Sequence, residues 1–223
     1  MGQQINIPTA GTHCISAYLA KPQGKPKGGI VVIQEIFGVT EHIRNVTDRF
    51  AAQGYTAIAP AFFDHLESGV ELKYDRAGYA KGKQLVTELG FDLALEEVAS
   101  AAESINSAGR IGTVGYCWGG TVALLSALRL GLPSVSYYGA RNLPFLHEVP
   151  QAAVMFHFGE KDPNITADAV AKHRAAMPQM EVFTYPHADH AFNRDGSSAY
   201  HAPSARLALE RTLAFFDANL APA

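Results

Sequence analysis

Cysteine and charge are both scarce in this chain. The 223 residues hold two cysteines, Cys14 and Cys117. That is too few for a disulfide framework, so a reducing compartment is expected and any important thiol is catalytic or structural rather than cross-linking. Charged residues make up 17% and the formal net charge is −3. That balance gives no reason to expect nucleic acid or a membrane surface as partner. Long apolar runs are missing too: none approaches the ~18 residues that span a bilayer. Residues 1–8 lack the basic stretch and apolar core of a secretory signal, and Asn6 stands where a myristoylation signal wants Ser or Thr. A cytoplasmic protein is expected, as monomer or small homo-oligomer, with no nucleic-acid or membrane partner. The apolar content of 48% is that of an ordinary globular protein, and the length suits one α/β domain over 1–223.

Strand and helix patterns alternate along the chain. Residues 3–20 read as two short strands with a turn at Pro8-Thr-Ala-Gly11, followed by a polar breaker over 21–29. Ile30-Val-Val-Ile33 is a β-branched run of the kind buried on both faces in a parallel sheet. A helix is predicted over 40–53, opened by Thr40 and closed by Gly54. Further strands are predicted at 55–59, 111–115, 134–138, 152–158 and 181–185. Helices are predicted at 91–108, after Trp118, near 166–176 and over 203–219. The stretch 60–89 is polar and weakly patterned and reads as a loop with a helical piece, of the sort that covers an active site. The alternation predicts an α/β fold with a doubly wound, mostly parallel sheet and helices on both faces.

Gly115-Tyr116-Cys117-Trp118-Gly119-Gly120 is the most informative segment. It follows an apolar strand and precedes an apolar helix, which is the strand, sharp turn and helix of a nucleophile elbow with cysteine in the reactive place. The glycines are needed because a side chain would collide with the neighbouring strand or helix in so tight a turn. A helix N-terminus behind the sulfur favours the thiolate, so Cys117 should ionise more easily than a free thiol at roughly 8.5.

Reacting groups in such sheets sit at the carboxyl ends of strands. After 152–158 comes Gly159-Glu160-Lys161-Asp162, and after 181–185 comes His187-Ala188-Asp189-His190-Ala191-Phe192. Nucleophile, acid and histidine thus follow the chain order of an α/β-hydrolase. His190 is preferred over His187 because it lies farther from the strand end, on a loop able to reach the nucleophile. Asp162 has a competing role as a helix cap. His157, inside an apolar strand, is expected to be a core histidine. Gln34-Glu35-Ile36-Phe37-Gly38 follows the strand 30–33, where the fold places an oxyanion loop. The Ile36 and Trp118 amides are the expected oxyanion donors. Arg194 is the expected partner of Glu35.

These segments together, with His190-Ala-Phe-Asn-Arg194, resemble the dienelactone hydrolases (carboxymethylenebutenolidases) over nearly the whole chain. The resemblance implies a Cys117–His190–Asp162 triad that opens a lactone or small activated ester through a thioester, without metal or cofactor, in the degradation of aromatic compounds. It implies that Glu35 meets the thiol at rest and takes its proton when substrate binds. It also implies that Arg194 holds a substrate carboxylate while pairing with Glu35, and that Tyr79 lines the pocket. Three positions depart from the family. Asp75 stands where a second arginine is usual, with Arg76 adjacent. Ala191 replaces a frequent serine. Trp118 replaces a smaller aliphatic residue and reshapes the substrate pocket. A competing expectation is a non-catalytic ligand-binding or regulatory protein of the same fold, for which Cys117 would behave as an ordinary thiol. A redox role is disfavoured, because Cys14 lies more than a hundred residues away and no C-x-x-C is present.

Overall fold

The computed structural model describes residues 2–9 and 13–221. The turn expected at Pro8-Thr-Ala-Gly11 therefore lies partly outside the described residues. The chain divides into two compact units, 1–113 with 220–223, and 114–219.

In the first unit the strands run in the order β1 (Gln3–Pro8), β2 (Cys14–Ala20), β4 (Thr56–Pro60) and β3 (Gly29–Ile33). β1–β2 and β2–β4 are antiparallel, while β3–β4 is parallel. Ile30, Val31, Val32 and Ile33 are all fully buried, as their unbroken β-branched run requires. Helix α1 (Glu41–Ala52) starts after Thr40, yet the Thr40 side chain makes no capping hydrogen bond. Its hydroxyl pairs instead with the Tyr74 hydroxyl at 2.8 Å.

The stretch 60–89 is a loop with a helical piece, as expected. The helix is longer than the sequence pattern shows, however, and runs on into the one predicted over 91–108. After a short 3-10 turn at Phe62–His65, helix α2 runs Arg76–Ser104, bending where Gly90 takes φ 71°. Its start is fixed by Asp75, whose Oδ1 accepts the Gly78 amide at 2.8 Å. The buried face of its first half is Gly78, Gly82, Leu85, Val86 and Leu89. That is helical spacing, but two of the five positions are glycine, which reads as a breaker in sequence. Here glycine permits close approach: a side chain at Gly78 would strike the Lys73 carbonyl, and one at Gly82 the Ile36 carbonyl.

In the second unit the strands run β5 (Ile111–Tyr116, whose first residues belong to the first unit), β6 (Ser134–Tyr137), β7 (Val154–Gly159) and β8 (Glu181–Tyr185). β6–β7 and β7–β8 are parallel. The helices are α3 (Trp118–Arg129), α4 (Ala167–Ala176) and α5 (Ala202–Asn219). Strand β6 ends one residue earlier than expected because Tyr138 turns to φ 40°. No helix among the described residues is long and apolar enough to cross a membrane.

Candidate active site

The connection from β5 to α3 is a sharp elbow. Cys117 sits at its apex with φ 57° and ψ −115°, half-buried, immediately before the first helical residue, Trp118. A side chain at Gly115 would collide with the Gly119 carbonyl, and one at Gly120 would come within 2.6 Å of the Tyr137 carbonyl. The elbow is tied to β6 by the Cys117 amide, which donates to the Tyr137 carbonyl at 3.0 Å.

Asp162 follows β7. Its side chain is fully buried and His190 is 20% exposed; His190 Nδ1–H donates to Asp162 Oδ2 at 2.6 Å. Oδ1 is occupied by the Asn164 amide at 2.8 Å. The competing capping role falls elsewhere: α4 is capped by Thr166, whose hydroxyl accepts the Ala169 amide. On the other side of the imidazole, His190 hydrogen-bonds the Cys117 side chain. Burial is the largest single influence on the ring and opposes its charge. The hydrogen bonds to Asp162 and Cys117, with the negative charge of both, outweigh it and push His190 up to about 10. The sulfur, imidazole and carboxylate from three distant stretches are thus brought together within one unit.

The other histidines fall where their surroundings dictate. His157 is fully buried, with Nδ1 2.8 Å from the Tyr185 hydroxyl and Nε2 3.1 Å from Thr212 Oγ1. Arg211 Nη1 donates to that Tyr185 hydroxyl. Burial, assisted by the Arg211 charge, lowers His157 to about 3, so it is a neutral core histidine. His187 is exposed and lies near His201.

Trp118, 3% exposed, opens α3, and Arg194 is half-buried on the loop beyond His190, its amide bonded to the Ala191 carbonyl at 2.8 Å. Glu35 and Ile36 belong to the first unit, both buried just beyond β3. Tyr79, also in the first unit, is 53% exposed on α2 with Lys83 Nζ 5.7 Å from its ring centre. Asp75 is occupied as the cap of α2.

Sequence reasoning missed Tyr138, whose ring centre lies 5.1 Å from that of His190. Its place at the end of a predicted strand was the available signal. Among the described residues no group of three or more His, Cys, Asp or Glu is arranged to hold a metal ion.

Known proteins share this arrangement of chain. The model of the dienelactone hydrolase family matches residues 15–220. A carboxymethylenebutenolidase of Pseudomonas putida is 31% identical, covering 95% of this chain and 94% of its own. A proposed carboxymethylenebutenolidase of Azospirillum brasilense is 35% identical, covering 97% and 98%. The crystal structure of a proposed dienelactone hydrolase from Klebsiella pneumoniae superposes with a TM-score of 0.86 at 31% identity, covering 97% and 98%. With that likeness extending over almost every residue that builds the strands, the elbow and the loops after them, the chain belongs to the dienelactone hydrolase family, has the α/β-hydrolase fold, and is a lactone or ester hydrolase acting on small molecules.

Proposed function

We propose that the enzyme opens lactones or small activated esters by way of a thioester on Cys117. The observation that carries this reading is the hydrogen-bonded series from Cys117 through His190 to the buried Asp162. With His190 pushed up to about 10, its imidazolium is the acid that protonates the departing oxygen, and the attacking species is the Cys117 thiolate, its proton taken up by Glu35, His190 or both.

The sulfur adds to the substrate carbonyl carbon, and the carbonyl electron pair moves onto oxygen. The Trp118 amide, first on the nucleophile helix, stabilises that oxyanion. The ester C–O bond then breaks, and the departing oxygen takes the proton from His190. Neutral His190 next removes a proton from water, and the hydroxide adds to the thioester. Loss of the C–S bond returns thiolate, imidazolium and the free carboxylic acid. Asp162 fixes the ring orientation and stabilises its charge throughout. Thiolate is itself a good leaving group, so the first tetrahedral intermediate goes forward only when the substrate oxygen leaves readily. Enol lactones and aryl esters meet that condition, and amides do not. Arg194, four residues beyond His190 on the same loop, is assigned to a carboxylate on the substrate. A reducing cytoplasm would keep the thiol in its working state.

The test is turnover of an enol lactone and an aryl ester, with mass spectrometry of the rapidly quenched enzyme. Cys117→Ala should lose about 10³-fold or more in kcat/KM, and the wild type should carry the acyl mass on the Cys117 peptide. Wild-type turnover by Cys117→Ala would sink the reading.

A further inference from the structure

The residues that set the distance between Cys117 and His190 are not themselves reactive. Segment 137–142 touches both. Its first carbonyl, Tyr137, accepts the Cys117 amide at 3.0 Å, and its second residue, Tyr138, lays its ring 5.1 Å from that of His190. Tyr138 does so from a φ of 40°, a conformation that persists only when the surroundings hold it. Gly139 follows, and a side chain there would come within 2.7 Å of Asn142 Oδ1 and of Ser136 Oγ.

The far end of the segment is locked by Asn142, which is fully buried. Its hydrogen bonds resolve from one fixed point. The Ala169 carbonyl, 2.7 Å from His173 Nδ1, can only accept, so Nδ1 carries a proton. His173 is held neutral by burial, which lowers its pKa more than the bond to Ala169 raises it. Its Nε2 is therefore an acceptor, and the Asn142 atom 3.2 Å away must be the amide nitrogen. The Asn142 oxygen then faces Thr121, whose hydroxyl donates to it at 2.8 Å. Thr121 in turn accepts the Arg141 amide at 3.3 Å. Each donor in the series meets an acceptor that leaves it no second arrangement, which makes the series rigid. Thr121 stands one helical turn after Cys117, so the lock joins the nucleophile helix, the 137–142 segment and α4.

We propose that Thr121, Asn142 and His173 form a brace of positioning residues that holds segment 137–142 as the spacer between the Cys117 sulfur and the His190 ring. The inference rests on the reading of Cys117 and His190 as the reactive pair. A spacer error changes how the pair is aligned in the bound complex far more than it changes substrate binding, so its effect belongs in kcat.

The test uses Thr121→Val, Thr121→Ser and Asn142→Leu, each measured for aryl-ester kinetics, for the rate of Cys117 alkylation by iodoacetamide across pH, and for thermal midpoint. Thr121→Val and Asn142→Leu should lower kcat by about tenfold or more while KM moves less than about threefold, and both should displace the alkylation profile. Thr121→Ser, which keeps the hydroxyl, should restore wild-type kcat and profile. If Asn142→Leu does not fold, Thr121→Val decides, since it removes both hydrogen bonds of the hydroxyl at nearly constant shape. Wild-type kcat and alkylation in a folded Thr121→Val protein, with only the midpoint lowered, would overturn the brace as a positioning device. Alkylation needs no turnover, so this outcome is separable from failure of the thioester reading, which Cys117→Ala reports.

Discussion

The two units differ in what they place at left-handed backbone positions. In the first unit every described residue with positive φ is glycine: Gly24, Gly38, Gly54, Gly69, Gly90 and Gly109. In the second, three non-glycine residues adopt it: Cys117 at 57°, Tyr138 at 40° and Ala191 at 62°. Such a conformation costs a side-chain-bearing residue on the order of 1–3 kcal/mol. The three are not scattered. One is the elbow cysteine, one is the ring beside His190, and one directly follows His190. The first unit turns its chain by unstrained means, whereas the second accepts strain where side chains must be aimed. The units also differ in the buried proton each retains. Glu97, on α2 in the first unit, is fully buried with His65 Nε2 3.0 Å from its Oε1. Burial, helped by the charges of Asp64 and Glu96, raises it to about 9. At neutral pH Glu97 is therefore a carboxylic acid. His190 keeps its proton because its hydrogen bonds to Asp162 and Cys117 outweigh its burial.

The sharpest way to break the comparison is Asp162→Asn. Removing the carboxylate takes away the strongest of the influences that hold a proton on His190, and kcat/KM for an aryl ester should fall by about 10³-fold or more. An unchanged rate would show that the strained unit gains nothing from the buried carboxylate.

Next in size is Glu97→Gln, read as thermal or denaturant stability across pH. The folded-state pKa of Glu97 is raised from 4.5 to about 9. Its contribution is therefore fully present below pH 4.5 and declines as pH rises through about 9. The amide of the variant cannot ionise. The variant should match the wild type near the lower end of that window and exceed it by on the order of a few kcal/mol near the upper end. Parallel pH profiles for the two proteins would show that Glu97 is already ionised in the fold. His190 adds a decline of the same sign over a higher window, from its ordinary 6.5 to about 10.

The smallest effect is expected from Ala191→Gly. Glycine relieves the positive φ while adding freedom to the unfolded chain, so the midpoint should shift by no more than about 1 kcal/mol in stability. Activity should fall, because the loop that aims His190 loses its constraint. A variant with full activity would show that the strain at 191 has no bearing on alignment.

The second unit was the more legible in sequence. Its strands β6, β7 and β8 fall close to their predicted bounds, and the elbow is a fixed run of residue types dictated by a steric need. Asp162 and His190 each follow a strand at the predicted place. Segment 76–89 was illegible for a specific reason: the hydrophobic stripe of α2 passes through Gly78 and Gly82, so its periodicity is interrupted where the packing is tightest. Asp75, three residues before Gly78, was the available sign of the helix start, but aspartate before glycine reads equally well as a turn. Thr40 shows the converse. The cap position was correct, yet the hydroxyl is engaged by Tyr74, a partner 34 residues away that no local pattern reveals. The brace of Thr121, Asn142 and His173 escaped for the same reason, since its members are 21 and 31 residues apart.

Two of the glycines of α2, Gly78 and Gly82, also make an otherwise ordinary helix vulnerable. At Gly82 the helix rides so near the Ile36 backbone that a methyl group would act as a wedge. Substitution by alanine, which improves most helices, should here pry the segment from its bed. Tolerance along α2 will therefore run opposite to intrinsic helical preference, with a poor helix former as the residue that cannot be exchanged.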